Sequence, residues 1–300
     1  MINPVLIAGC IIILVSFAVR ASFGLFQLPI ALEFAWPRES FSLAIAIQNL
    51  FWGIGQPIFG AFAERYGDRK AIFTGGVVYV VGLVLSAFAI TPGQHQLLEI
   101  LVGFGIAGTG FGVILAVVGR AASDKNRSMA LGIATAAGSA GQIVGPPVAQ
   151  SLLSQMTWQS VFVIFAGFVL LSMFALTLMR APKPAKSTEA EAPMGVVLKR
   201  ALKDPTFWFI FIGFFSCGYQ LAFITAHFPA FITEMCGPIS PDSMLYVLGV
   251  TSAHGLRAIS IALIGLFTTG GTLLAGRLGP KYSRKYLQAT LLPLRTPRSG

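Results

Sequence analysis

Charge is scarce in this sequence, and negative charge is scarcer still. Only 11% of the 300 residues are charged, and 11 acidic side chains stand against 21 lysines and arginines. Hydrophobic residues make up 55% of the chain, which is more than a soluble domain of this size needs to fill one core. The composition therefore excludes an ordinary soluble domain and indicates a chain that lies in a lipid bilayer.

Cysteine and histidine are also rare, with three of each. The three cysteines, Cys10, Cys217 and Cys236, stand singly and show no metal-ligand spacing. We therefore expect each of them to be a small apolar packing residue. We predict no metal site and no cofactor. The chain also lacks paired intramembrane carboxylates, a His–Glu metal spacing and a nucleophile elbow, so we do not expect an enzyme. The glycine-rich stretch 103–112 follows no strand, which argues against a nucleotide-binding loop.

Eight long apolar stretches run along the chain, each near or above the ~20 residues that a helix needs to cross a bilayer. They lie at 5–32, 41–62, 71–91, 97–119, 128–153, 158–180, 206–233 and 258–276. We therefore predict an all-α membrane protein with about eight transmembrane helices. The first stretch lacks a basic leading region and is followed by further spans, so we expect a retained helix and not a signal peptide.

The formal net charge of +10 could suggest nucleic acid as a partner. The cations, however, are concentrated in the loops after the second, fourth, sixth and eighth stretches, as the positive-inside rule requires of cytoplasmic loops. The opposite connections carry Arg38 and little else that is basic. We predict that these four loops and the amino terminus are cytoplasmic, that the lipid bilayer is the partner, and that no nucleic acid is bound.

A polar segment, APKPAKSTEAEA at 181–192, divides the chain into two halves. We predict an amino-terminal six-helix half at 1–180, a cytoplasmic linker at 181–204 and a partial second half at 205–300. The seventh stretch resembles the first in its polar and aromatic positions, as in transporters built from repeats. The matching pairs are Ser16 and Ser216, Arg20 and Gln220, Phe23 and Phe223, and Pro29 and Pro229.

The loop GAFAERYGDRK, after the second stretch, resembles the cytoplasmic loop signature of the major facilitator superfamily. A less regular copy, GRLGPKYSRK, begins at Gly276. The signature positions are Gly60, Glu64, Arg65, Gly67, Arg69 and Lys70. The resemblance implies secondary transport by a bundle of about twelve helices. We therefore expect a complete amino-terminal half and a second half truncated at its carboxyl end; a fragment, an abnormal reading frame and a degenerate relic remain open.

Three phrases resemble bacterial relatives of the monocarboxylate and oxalate/formate transporter group: RASFGLFQLPI, WPRESFSLAIAIQNLFWGIGQP and LGIATAAGSAGQ. In that group a cation in the first span and an arginine in the eighth bind the substrate carboxylate. Arg20 matches the first, and Thr272 stands near the expected depth of the second. The resemblance implies a symporter or antiporter that carries a small organic anion by alternating access. We expect a monomer in the bacterial cytoplasmic membrane.

Arg20 is the sharpest single candidate for substrate binding. It lies roughly 21 Å along the first helix, at 1.5 Å per residue. A cation at that depth normally faces a cavity or an acidic partner, and the other spans contain only Glu99, near an outer end. An anionic substrate could supply the missing charge, since a guanidinium binds a carboxylate in bidentate fashion. Bonding to backbone carbonyls, or extension to the interface, is the alternative.

Further polar residues in the second and seventh stretches need partners inside a membrane. The repeat predicts that Gln220 lies opposite Arg20, with Tyr219 nearby. Gln48 and Asn49 either line the cavity or join helices, and His227 either relays protons or has a structural or solvent-facing role.

The fifth stretch, GIATAAGSAGQIVGPP, resembles the fifth-helix signature of exchangers in the superfamily at Gly132, Gly141, Gly145 and Pro146. A gating hinge and tight packing without gating are the two interpretations. For the loop signature, the resemblance implies that Glu64 and Arg65 hold an inner gate closed; the alternative is that its cations only set topology. Efflux of an amphipathic compound and a non-functional remnant are the other functions considered.

Overall fold

The computed structural model describes residues 3–179, 194–235 and 253–278, and their regular structure is helical. The α-helices are α1 Pro4–Phe34, α2 Arg38–Tyr66, α3 Asp68–Ser86, α4 Pro92–Thr109, α5 Phe111–Ala121, α6 Arg127–Leu153, α7 Trp158–Ser172, α8 Met194–Lys203, α9 Pro205–Met235 and α10 Ala253–Leu278. A 3-10 turn, Asp124–Asn126, precedes α6, and another, Met173–Leu178, continues α7. The predicted all-α membrane bundle is confirmed.

The helix starts follow from local chemistry. Asn3 accepts a hydrogen bond from the Val5 backbone N–H at 2.9 Å ahead of α1, and Thr91 accepts one from Gln94 ahead of α4. Each cap is followed by a proline at the first helical position, where no hydrogen-bond donor is required. These caps satisfy orphan amide groups that lipid could not satisfy.

The fourth predicted span consists of two helices. Gly110 has an extended backbone (φ −94°, ψ −163°) and separates α4 from α5. Together the two form one continuous apolar stretch, Pro92–Ala121, that is long enough to cross a membrane.

Six stretches among the described residues are long and apolar enough to span a membrane, against the eight predicted. They are Pro4–Phe34, Asp68–Ser86, Pro92–Ala121, Trp158–Leu178, Pro205–Ile224 and Ile259–Leu278. Helices α2 and α6 have suitable lengths of 29 and 27 residues but are not among them. Their composition explains this, because α2 carries several amides and charges, and α6 is rich in glycine, alanine and serine.

Helix α1 lies at the centre of the amino-terminal half. In its first part, Ile12, Ile13 and Phe17 are almost fully buried and belong to a cluster with residues of α5. In its second part, Phe26 lies 4.6 Å from the ring of Phe162 on α7. Close packing of this kind holds helices together where lipid removes the hydrophobic driving force between them.

Glycines of α4 allow it to approach α2 and α3 closely. A Cβ atom added to Gly108 would lie 2.6 Å from the Gly75 Cα of α3, and one added to Gly105 would meet Tyr79. A Cβ added to Gly103 would meet the Gln48 carbonyl of α2. The glycine-rich stretch is therefore a helix-packing surface.

We expect Gly108→Ala to destabilise the chain by about 1–3 kcal/mol, because the new methyl group meets backbone that cannot move aside. Gly53→Ala is the matched control, since its Cβ would meet nothing within 4 Å and alanine favours a helix. The measurement is thermal stability in detergent by size-exclusion chromatography. Equal stability of the two variants would show that the α3–α4 contact is looser than described.

Candidate functional site

The guanidinium of Arg20 is buried inside the bundle. The residue is 4% exposed, and its Nη2 donates a hydrogen bond to Asn49 Oδ1 of α2 at 2.9 Å. Its central carbon lies 4.6 Å from the ring centroid of Trp52 and 5.8 Å from that of Phe17. Aromatic faces attract a cation at these distances. The guanidinium of Arg20 is therefore buried, and its described hydrogen bond goes to a side chain and not to a backbone carbonyl.

The charge of Arg20 has no carboxylate beside it among the side chains that the structure describes. The described ion pairs join other residues, and Arg20 Nε is buried without a hydrogen-bond partner. A neutral amide and ring faces stabilise a cation less than a carboxylate would. The arrangement retains capacity to bind a negative group.

Adjacent residues of α2 hold two ionisable groups from different helices. While Asn49 binds Arg20 of α1, Gln48 Nε2 donates to Glu99 Oε2 of α4 at 2.6 Å. Asn49 also donates to the Ile45 carbonyl at 2.8 Å, which orients its oxygen towards Arg20. Of the two predicted roles for Gln48 and Asn49, the joining of helices is the one seen in this structure.

Smaller polar groups join α1 to α3 and α4 nearby. The Tyr79 hydroxyl donates to the Ser16 carbonyl at 3.3 Å, and the Ser16 and Thr109 hydroxyls lie 2.9 Å apart. Arg20 and Glu99 thus belong to one connected polar layer across four helices.

The structure does not bring the predicted residues of α9 to Arg20. Gln220 is half-buried, and no hydrogen bond joins this described side chain to Arg20, whose guanidinium is bound to α2. Tyr219 is 61% exposed, and His227 is exposed, with its ring 5.0 Å from Phe223. Their predicted contact with a substrate stays a prediction.

A cavity of about 150 Å³ lies at the end of the bundle where α1, α5 and α6 meet. Its lining residues are Asn3, Leu6, Val118, Ala121, Ala122, Ser123, Asn126 and Ala130. Arg20 does not line it. The buried polar layer is therefore separate from this cavity.

The predicted gating loop is a one-residue turn between α2 and α3. Gly67 makes it with φ 99° and ψ 146°, a conformation that favours glycine. Glu64 and Arg65 are exposed, and Arg65 lies over the Tyr66 ring. Gly60 is half-buried, and Arg69 and Lys70 are exposed.

The described ion pair at this end joins Asp68 to Arg120, with 2.6 Å between Oδ1 and Nη2. The sequence analysis did not select Asp68. The available signal was its place in the first turn of α3, where the helix dipole favours an acid, with Arg120 in the last turn of α5, where it favours a base. This ion pair joins the start of α3, next to the α2–α3 turn, to the end of α5.

We predict that Asp68→Asn and Arg120→Gln each lower thermal stability, with a coupling of about 0.5–1 kcal/mol in a double-mutant cycle, because both side chains are partly shielded from water. Glu64→Gln is the matched control and is expected to leave stability unchanged. Strictly additive effects of the first two substitutions would show that the pair contributes nothing.

The predicted hinge residues of α6 lie against α1 and α10. Cβ atoms on Gly141 and Gly145 would meet the Leu14 and Ala18 backbone of α1. On another side, Gly132 faces Gly276 of α10, whose Cα would lie 3.1 Å from an added Cβ. Helix α6 continues unbroken through Pro146 and Pro147. The positions are those of tight packing, and their role as a hinge stays a prediction.

Comparison with known protein families identifies the family of this helical bundle. Residues 8–294 match the model of the Major Facilitator Superfamily. The chain belongs to the Major Facilitator Superfamily. This superfamily is one of transporters, and the chain is a multi-pass membrane protein.

Similar curated proteins agree with this placement. The MFS-type transporter YcxA of Bacillus subtilis is 25% identical over 91% of this chain and 64% of its own length. Monocarboxylate transporter 13 of Bos taurus is 26% identical over 80% of this chain and 56% of its length. The chain therefore spans about 60% of the length of these relatives.

Solved structures show the same fold. A bacterial homologue of the human lysosomal transporter Spinster, inward-facing and occupied, superposes with a TM-score of 0.65 at 18% identity, over 94% of this chain and 62% of its own. A D-xylose–proton symporter gives 0.62 at 16% identity, over 94% and 69%. At these identities the likeness concerns the fold alone.

Proposed function

We propose that this superfamily member carries a small organic anion across the bacterial cytoplasmic membrane by alternating access, and that Arg20 binds the anion's charge. The observation that carries the proposal is a guanidinium at 4% exposure with no carboxylate partner among the described side chains. A buried cation without an anion is costly in a membrane protein and marks a functional position. A carboxylate substrate would complete its hydrogen bonds.

The hydrogen bond from Arg20 to Asn49 sets the resting state of this site. Because Asn49 is neutral, an incoming carboxylate gains more from the guanidinium than the amide does. The anion would displace or share the Asn49 bond while Trp52 keeps the cation in place through its ring face. The monocarboxylate transporters among the relatives favour this chemical class.

Alternating access requires two parts of the bundle to move against each other. Helix α6 packs on α1 through Gly141 and Gly145 and on α10 through Gly132. We propose that this interface is where the halves move, and that the Asp68–Arg120 pair stabilises the amino-terminal half. The amino terminus would face the cytoplasm, and the transporter would act as a monomer.

The test is uptake of labelled monocarboxylates and dicarboxylates into proteoliposomes that contain the full chain. We expect Arg20→Gln to lower uptake roughly tenfold or more, since a hydrogen-bonded charge is lost. Asn49→Asp should also block uptake, because it supplies a permanent carboxylate at the 2.9 Å contact.

Arg127→Gln is the matched control, because this arginine is exposed at the start of α6. Size-exclusion chromatography checks that each variant is folded. Equal uptake by the wild type and Arg20→Gln would refute the anion-binding role of Arg20.

A further inference from the structure

We propose that Glu99 and His95 of α4, with Gln48 of α2, form a proton-binding site inside the membrane part of the chain. Glu99 is 0% exposed and His95 is 2% exposed, and they stand one turn apart on the same face of α4. Buried ionisable groups within a span are rare and mark proton or substrate pathways. The site is distinct from the Arg20 guanidinium in its ligand and its residues.

The hydrogen bonds of the Glu99 carboxyl are incomplete in a specific way. Oε2 accepts the bond from Gln48 Nε2, whereas Oε1 is buried without a hydrogen-bond partner. Oε1 lies 3.7 Å from His95 Nε2, slightly beyond hydrogen-bond distance. Both imidazole nitrogens of His95 are likewise buried without partners. One proton between Oε1 and Nε2 would satisfy both atoms.

The surroundings of His95 are aromatic. The imidazole ring lies between three aromatic rings, with centroids 5.9 Å away for Trp36, 6.0 Å for Phe41 and 6.4 Å for Phe162. An ionised carboxylate among such neighbours has no balancing charge, so the group stays neutral instead. Glu99 therefore carries a proton on Oε1 while the aromatic rings enclose the site.

Among the described residues, the charged and titratable side chains of the neighbouring helices have other partners. On α1, Arg20 donates to Asn49, and on α3 the Tyr79 hydroxyl donates to the Ser16 carbonyl. Helix α2 contributes the neutral Gln48, and α7 contributes Phe162. At the far end of α5, Arg120 is paired with Asp68. Glu33 on α1 accepts hydrogen bonds from Trp158 and Gln159 of α7.

Transfer of the proton needs one short movement. The Oε1–H group donates to Nε2 of an imidazole that holds its own hydrogen on Nδ1, which leaves a carboxylate and an imidazolium. His95 lies one turn nearer than Glu99 to Pro92, where α4 begins. The imidazolium then gives its Nδ1 proton to water when the aromatic rings separate. His95 is thus the base through which the Glu99 proton exchanges.

The geometry also connects this proton to the rest of the transporter. Gln48 and Asn49 are consecutive, so a movement of α2 that alters the Glu99 bond also alters the Arg20 bond. The proposal rests on the chain being a transporter and not on its substrate being an anion. A proton site could serve any cargo that this bundle carries.

The test is infrared spectroscopy of the full chain in vesicles near neutral pH, with no substrate present. We expect the C=O stretch of a protonated carboxylic acid in the wild type and its loss in Glu99→Gln, which keeps the size and the acceptor for Gln48. Glu39→Gln is the matched control, because Glu39 is exposed in the first turn of α2, and it should leave the band in place.

Two further variants keep the proposal testable if Glu99→Gln does not fold. Gln48→Leu removes the hydrogen bond to Oε2 and should shift the same band to higher frequency. In heavy water, His95→Gln should slow deuterium exchange of the band by roughly tenfold or more, since it removes the base. Absence of the band from the wild type, or a band unmoved by the Glu99 and Gln48 variants, would overturn the proposal. Failure of Arg20→Gln to affect uptake would leave these outcomes unchanged.

Discussion

Two ionisable groups buried inside an apolar bundle must find their partners within the protein, and α2 supplies both. Asn49 binds the Arg20 guanidinium, and the preceding residue, Gln48, binds the Glu99 carboxyl. Neither partner carries charge, so each ionisable group is held in position without being neutralised by an opposite charge. This constraint explains why α2 carries polar residues inside the bundle. It also links a cation on α1 to an acid on α4 through one helix.

The second constraint is close approach between helix backbones. Gly108 against Gly75 brings α4 onto α3, and Gly141 and Gly145 bring α6 onto α1. Packing and hydrogen bonds replace the hydrophobic effect as the force between helices in lipid, so small residues determine how near the polar groups can come. The same property lets α6 approach α10 closely, where Gly132 faces Gly276.

Much of the architecture could be predicted from the sequence because it depends on local composition. Lengths of apolar stretches predicted the spans, and the loop with Gly67 predicted both the α2–α3 turn and the superfamily. The candidate site was harder to predict from the sequence. Arg20 was identified by its depth in the first span and by the family resemblance, but its partner Asn49 and the ring of Trp52 come from another helix. The pairing of Asp68 with Arg120, and of Glu99 with Gln48 and His95, depends on which faces of three helices meet.

The sequence by itself therefore determined that this chain is a helical membrane protein of the major facilitator type, because helix length, charge bias and loop motifs act within one segment. Only the tertiary structure decided that Arg20 turns to α2 and that Glu99 lies beside an unpaired histidine. Hydrogen bonds are short and directional, so a helix rotated by one residue would no longer bring an amide within hydrogen-bond distance of its ionisable partner. That rotation is determined by glycine contacts between helices, which no single segment encodes.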